Sequence, residues 1–272
     1  MFYAFGDESH DSTKERIFAV GGLLGDEGQW ASFRERWNAR TGGLVFHAAD
    51  CESGYGAFHG IAENERHRLH RELTTLLADS GLIGYGHAID LAGCRAVAPS
   101  VLEAFPDMVY YDCFLKTVLK LADFAAHFVP CDKVRIIFDR QKQTQYNASL
   151  LYRWMAGYKP EALESLDFTD RREAGVQAAD LWAREFMKRC DTHLYDDRAR
   201  PRPQWNTLAR TKRFQFHLTL GRELAQTLDE TPDLPGFNHE EYERWREALK
   251  LTDNLSNRFR YVSTIDQTGG AR

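Results

Sequence analysis

The sequence predicts a mixed α/β fold: a five-stranded sheet flanked by helices, with a helical insertion after the second strand and a helical C-terminal extension. Three observations lead there. The chain opens on two short apolar runs separated by a polar turn, helical and strand periodicities then alternate, and the texture changes beyond Cys190. A strand meander followed by alternating helix and strand is the signature of a mixed sheet.

The opening run "FYAFGDE" sets Tyr3, Phe5 and Asp7 on one side and Phe2, Ala4 and Gly6 on the other, so it reads as a strand covered on both faces. "RIFAVGGLLG" (16–25) follows the turn "HDSTKE" closely enough to pair with it antiparallel. Its glycines do not make a phosphate loop, because no Lys-Ser or Lys-Thr stands at the required spacing. Trp30, Phe33 and Trp37 recur at helical spacing over Gln29–Arg40, and Leu69, Leu73, Leu76 and Leu77 do so over Glu63–Asp79. "LIGYGHAIDL" (82–91) is the third predicted strand, Met108–Val129 a long helix, and "DKVRIIFDR" (132–140) a short strand buried on both faces. Ala148–Gly157 reads as helix, "LESLDFTD" (163–170) as the last strand, and "EAGVQAADLWAREFMKR" (173–189) as an amphipathic helix. "DTHLYDDRARPRPQW" then reads as a linker, followed by helical patterns near 214–228 and 239–250 and a frayed tail. The domain expectation is residues 1–190 with an insertion at about 26–80, and a basic loop and helical extension over 191–272 packed on it.

Charge and cysteine content narrow the functional classes. With a net charge of −5, a nucleic-acid partner has to be met by a local basic patch, because the whole chain repels a polyanion. Cys51, Cys94, Cys113, Cys131 and Cys190 are scattered without CxxC spacing, which argues against a disulfide framework or a zinc knuckle. No basic leader opens the chain and no apolar run approaches ~18 residues, so the expectation is a cytoplasmic protein without membrane contact.

The acids are the chemistry-bearing feature. Asp7 ends the first strand, Asp139 ends a later one, and adjacent strand ends lie about 5 Å apart. Asp180 flanks the apolar stripe of the 173–189 helix (Val176, Ala179, Ala183, Phe186), in line with Gln177 and Arg184. Carboxylates converging from strand ends and a helix suit Mg²⁺ or Mn²⁺, and such ions promote phosphodiester hydrolysis. Each acid also has an ordinary reading: "DES" as a turn, Asp139 as a partner of Arg140, Asp180 as a partner of Arg184.

Taken together, an N-terminal strand ending "DES", a strand ending "FDR" and a late "GVQAADLWA" helix resemble the bacterial and phage family catalogued as domain of unknown function 3800. The resemblance spans roughly residues 1–190 and implies an RNase H-like core whose strand and helix acids bind divalent metal. It makes Asp7, with Glu8 beside it, the first-strand acid, Asp139 the later-strand acid and Asp180 the helix acid. Asp170 matches a fourth position, although Arg171 follows it where relatives carry Ser.

The substrate side of such a site falls to His47, Asp50, Gln177, Arg140, Arg210, Lys212 and Arg213. His47 and Asp50, three apart in "FHAAD", suit action on a leaving group or phosphate, against the plainer reading of a loop histidine and a helix-capping acid. His67 and His70 read as a solvated helix face. Residues 198–213 carry six Arg or Lys and no acid, with Trp205 inside the segment and Phe214 and Phe216 just beyond, which suits phosphate contact and base stacking as well as a solvated linker. The functional expectation is therefore a metal-dependent nuclease, possible as an oligomer. The alternatives are a non-catalytic nucleic-acid or protein-binding component of a mobile-element or defence system, and a small-phosphoester hydrolase.

Overall fold

The computed structural model describes residues 1–97, 108–128, 133–140, 145–158, 161–196, 198–221 and 223. Its strands are β1 (Phe2–His10), β2 (Ile17–Asp26), β3 (Ile83–Asp90), β4 (Val134–Asp139), β5 (Leu163–Thr169) and β6 (Phe214–Thr219). Its helices are α1 (Glu27–Thr41), α2 (Ala48–Ser53), α3 (Glu63–Ala78), α4 (Leu91–Val97), α5 (Met108–Phe128), α6 (Gln145–Tyr158), α7 (Ala174–Tyr195) and α8 (Pro203–Ala209). The strands form one mixed sheet in the order β5-β4-β1-β2-β3-β6. β2 pairs antiparallel with β1 and β3, whereas the β1–β4, β4–β5 and β3–β6 pairs are parallel. The meander followed by alternating helix and strand is thus one mixed sheet, with β1 in its interior and flanking helices on both faces.

The expected five strands are corrected to six among the described residues. Residues 214–219, expected to be helical, alternate Phe214, Phe216 and Leu218 with Gln215, His217 and Thr219, and that two-residue period docks them on β3 as an edge strand. The linker expected from Asp191 instead prolongs α7 to Tyr195, with Cys190 fully buried beneath that turn. The pattern at 239–250, the tail and Cys131 lie outside the described residues.

Two cores sandwich the sheet. Phe5, Trp30, Trp37, Trp182 and Phe186 pack on the face covered by α7 and the insertion helices α1–α3. Ala4, Val20, Phe114, Phe138 and Leu151 pack on the face covered by α5 and α6. The glycines of β2 and β3 let α7 sit directly on the sheet: a Cβ at Gly21 would meet the Ala183 backbone at 3.0 Å, and one at Gly86 the Phe186 ring at 2.4 Å. That close seat fixes the height of α7, and so of its acid, above the strand ends. The insertion is tied down where it starts, with Asp26 and Gln29 forming a capping box on α1 and Trp30 donating its indole N–H to the Tyr3 carbonyl at 2.9 Å.

Candidate functional site

Ligands of open α/β sheets sit in the crevice outside the carboxyl ends of the strands, and here five of the six strands deliver their carboxyl ends to one edge. Gly6 of β1 pairs with Phe138 of β4, so Asp7 and Asp139 follow side by side. Each accepts the next residue's backbone N–H on Oδ1 at 2.9 Å, from Glu8 and from Arg140 respectively. β1 continues through His10, and the hairpin turn is built by Asp11, whose carboxylate accepts the N–H groups of Thr13, Glu15, Arg16 and Ile17. "DES" is therefore strand and not turn.

Asp180 reaches the same crevice from α7, where it is 6% exposed. Its Oδ2 accepts the Ala48 N–H at 2.6 Å, and its Oδ1 stands 3.8 Å from His47 Nε2. Arg184 turns away to Glu52 Oε2 (2.8 and 3.2 Å) and to the His10 carbonyl (3.2 Å), so it serves as a strut between α7, α2 and β1. Gln177 holds the segment before α2 against α7. Its Oε1 accepts from Trp37 Nε1 at 3.0 Å and from the Phe46 N–H at 2.9 Å, and its Nε2 donates to the Arg172 carbonyl at 3.1 Å.

These elements enclose a cavity of about 140 Å³ lined by Asp7, Glu8, His10, Phe46, His47, Asp139, Arg171, Val176, Gln177 and Asp180. Burial holds the Asp7 carboxyl well above the ordinary carboxylate range, and Asp180, Glu8 and Asp139 push it further the same way. Asp180 is also raised by burial, against the opposing pull of His47, the Ala48 N–H, Arg184 and His70. Four carboxylates thus share a pocket whose lining includes one guanidinium, Arg171. Oxygen donors of this kind, converging in one pocket, fit a hard divalent cation.

Several predicted site residues lie elsewhere or do other work. Asp170, expected as a fourth metal ligand, is half exposed and forks with Arg172 at 3.0 and 3.2 Å; the guanidinium two residues on holds its carboxyl below the usual range. Gln177 lines the cavity, but both acceptor positions of its oxygen hold the protein together. Asp50 stands behind His47, with Oδ2 3.2 Å from Nδ1, and does not line the cavity. Arg140 donates to the Phe168 carbonyl at the β5 edge. Arg210, Lys212 and Arg213 precede β6, whose Phe216 lies level with Asp7 but three strands across, so they are removed from the acids. The aromatics among them pack inward: Trp205 stacks on Trp182, Phe214 is 1% exposed and Phe216 stacks on Phe186.

His70, expected on a solvated face, is 2% exposed and stands 3.2 Å from Glu185 Oε1. Glu52, His70 and Glu185 bring three ligand atoms within 4.8 Å of one another. Arg202 contacts both glutamates, at 2.6 and 3.2 Å, and Arg184 contacts Glu52. Two guanidiniums against two carboxylates make this a neutralised ion network that clamps α2, α3, α7 and the strand-free 198–202 segment together. Sequence reasoning also missed His10 and Arg171 as lining residues; that β1 runs on past "DES" is the signal that would have found His10.

No family model and no curated protein matches the chain. A solved structure of the PCNA:RNase HII complex from Archaeoglobus fulgidus aligns at 13% identity over 100% of this chain and 96% of that one, with a TM-score of 0.36. A likeness of that size says nothing of this chain's chemistry.

Proposed function

We propose that this chain is a divalent-metal-dependent nuclease, with Asp7, Asp139 and Asp180 as the residues that would hold Mg²⁺ or Mn²⁺ and Glu8 assisting. One observation carries the proposal: Asp7 is buried in a cavity at the carboxyl edge of the sheet, where Asp180, Glu8 and Asp139 all disfavour its charge. A structural role does not call for four acids in one pocket, since like charges there cost stability. A bound cation removes that cost, and when bound it polarises a phosphoryl oxygen and activates water. The chain's own residues supply the rest. Arg171 at the cavity wall places a fixed positive charge where a substrate phosphate enters, and His47 turns its imidazole toward Asp180 in the same cavity. The motif resemblance to domain of unknown function 3800 supports the same assignment of acids.

The test is a panel of RNA, DNA, nucleotides and small phosphoesters incubated with the full chain in Mg²⁺ and in Mn²⁺, alongside Asp7→Asn and Asp180→Asn. We expect phosphodiester cleavage of a nucleic acid by the wild type and a loss of at least a hundredfold in either variant, with the fold retained by circular dichroism. Equal cleavage in both variants would overturn the proposal. Salt-sensitive binding with no cleavage under any metal would assign the chain to the non-catalytic alternative.

A further inference from the structure

We propose that His47 is a nitrogen ligand to the cation at Asp180, oriented by Asp50, so that the centre prefers a first-row transition ion to Mg²⁺. This deepens the metal assignment above and rests on it. His47 Nε2 and Asp180 Oδ1 are 3.8 Å apart. That is too far for a good hydrogen bond, which closes to about 3.2 Å or less. Two donors each about 2.1 Å from one cation lie at most about 4.2 Å apart, so the observed separation fits shared ligation. The other ring nitrogen, Nδ1, stands 3.2 Å from Asp50 Oδ2. Nδ1 makes no formed hydrogen bond, so the carboxylate acts on the ring through its charge, which favours the tautomer with its proton on Nδ1 and leaves the Nε2 lone pair facing the cavity.

The ring is held in that place from both sides. His47 is the N-cap residue of α2 and has no side-chain capping bond, so its imidazole is not spent on the backbone N–H groups of the helix it starts. The next residue, Ala48, donates its N–H to Asp180 Oδ2 at 2.6 Å, and Glu52 near the far end of α2 is tied to Arg184, one turn along α7 from Asp180. α2 is thereby pinned to α7 at two points that straddle the imidazole–carboxylate pair. Mg²⁺ takes oxygen ligands, whereas imidazole shifts preference toward first-row transition ions. A centre of Asp7, Asp139, Asp180 and His47 therefore differs in selectivity from one of acids alone.

The experiment uses the full chain with Mn²⁺ alone as the probe. Electron spin-echo modulation reads directly coordinated ¹⁴N, and titration gives Mn²⁺ and Mg²⁺ affinities for the wild type, His47→Gln, Asp50→Asn and Asp7→Asn. We expect imidazole ¹⁴N modulation in the wild type and none in His47→Gln. His47→Gln should lose about tenfold or more in Mn²⁺ affinity while its Mg²⁺ affinity changes less than about threefold, and Asp50→Asn should weaken Mn²⁺ binding by about tenfold. Mn²⁺ binding that depends on Asp7 but shows no ¹⁴N modulation overturns the histidine ligand and leaves the carboxylate centre standing. Modulation that persists in His47→Gln also overturns it, since His10 is the other imidazole lining the cavity. Failure of the wild type to bind Mn²⁺ at all overturns both.

Discussion

Replacing Gln177 with Leu tests how the fold holds the cavity wall. The amide oxygen is the acceptor for two buried donors, the Trp37 indole N–H, on a side chain 0% exposed, and the backbone N–H of Phe46, which is 2% exposed. Leucine is close in volume, so the cavity penalty is small and the loss is electrostatic. Each orphaned donor costs about 1–3 kcal/mol, and the Arg172 carbonyl adds little because it belongs to an exposed residue and can turn to water. The sum is about 2–6 kcal/mol. Urea unfolding followed by tryptophan fluorescence and by far-UV circular dichroism measures it, read as a shift of midpoint at constant slope. Because Trp37 supplies one of the two donors, Trp37→Phe and Gln177→Leu should not add, with a coupling of about 1 kcal/mol in a double-mutant cycle. A Gln177→Leu protein within about 0.5 kcal/mol of wild type, or an additive cycle, would refute the account of how residues 46–48 are held against α7.

Other consequences follow from the same geometry. Glu52 is half-buried, which works against its charge, but Arg202 and Arg184 pull its carboxyl from 4.5 to about 2; its folded value is depressed, so the stability it confers is full above about 4.5 and is lost as pH falls toward 2. That window is worth on the order of 3 kcal/mol, and Glu52→Gln should flatten the acid limb of stability against pH there. Asp7 has the opposite sign: its folded value is raised, so stability is lost as pH rises above 3.8 and the deficit persists at neutral pH. Asp7→Asn should therefore unfold later than wild type at pH 7 without added metal, by roughly 1 kcal/mol or more, while losing cleavage; lower stability at pH 7 would contradict the repulsion argument. Gly175→Ala should destabilise by about 1–3 kcal/mol in thermal unfolding, because its Cβ would fall 2.4 Å from the Phe5 ring and α7 has to lift; an unchanged transition would show that the helix seat is loose.

The strands that carry the acids were legible because their signals are local. A two-residue period with apolar residues on both sides marks β1 and β4 whatever lies around them, and the alternation that places Asp7 with Tyr3 and Phe5 follows from the pleat. The α7 acid was legible from its offset to the apolar stripe. What the sequence did not show depends on long-range pairing. "HRLH" resembles a wet helix face until Glu185, far along the chain, arrives beside His70. Arg202 resembles a nucleic-acid contact until Glu52 and Glu185 meet it. Trp205, Phe214 and Phe216 look available for base stacking, but α7 presents Trp182 and Phe186 to them first. Asp170 lies outside the cavity lining for a local reason: the arginine two residues on takes its carboxylate.

The central claim is that the acids at the carboxyl edge of the sheet hold a divalent cation. Crystals of the full chain soaked in Mn²⁺ and measured at the manganese absorption edge test it most directly. The account predicts an anomalous peak in the cavity between Asp7, Asp139 and Asp180 that disappears in Asp7→Asn crystals. A peak at Glu52, His70 and Glu185 instead, or no peak in the cavity at saturating Mn²⁺, would contradict it.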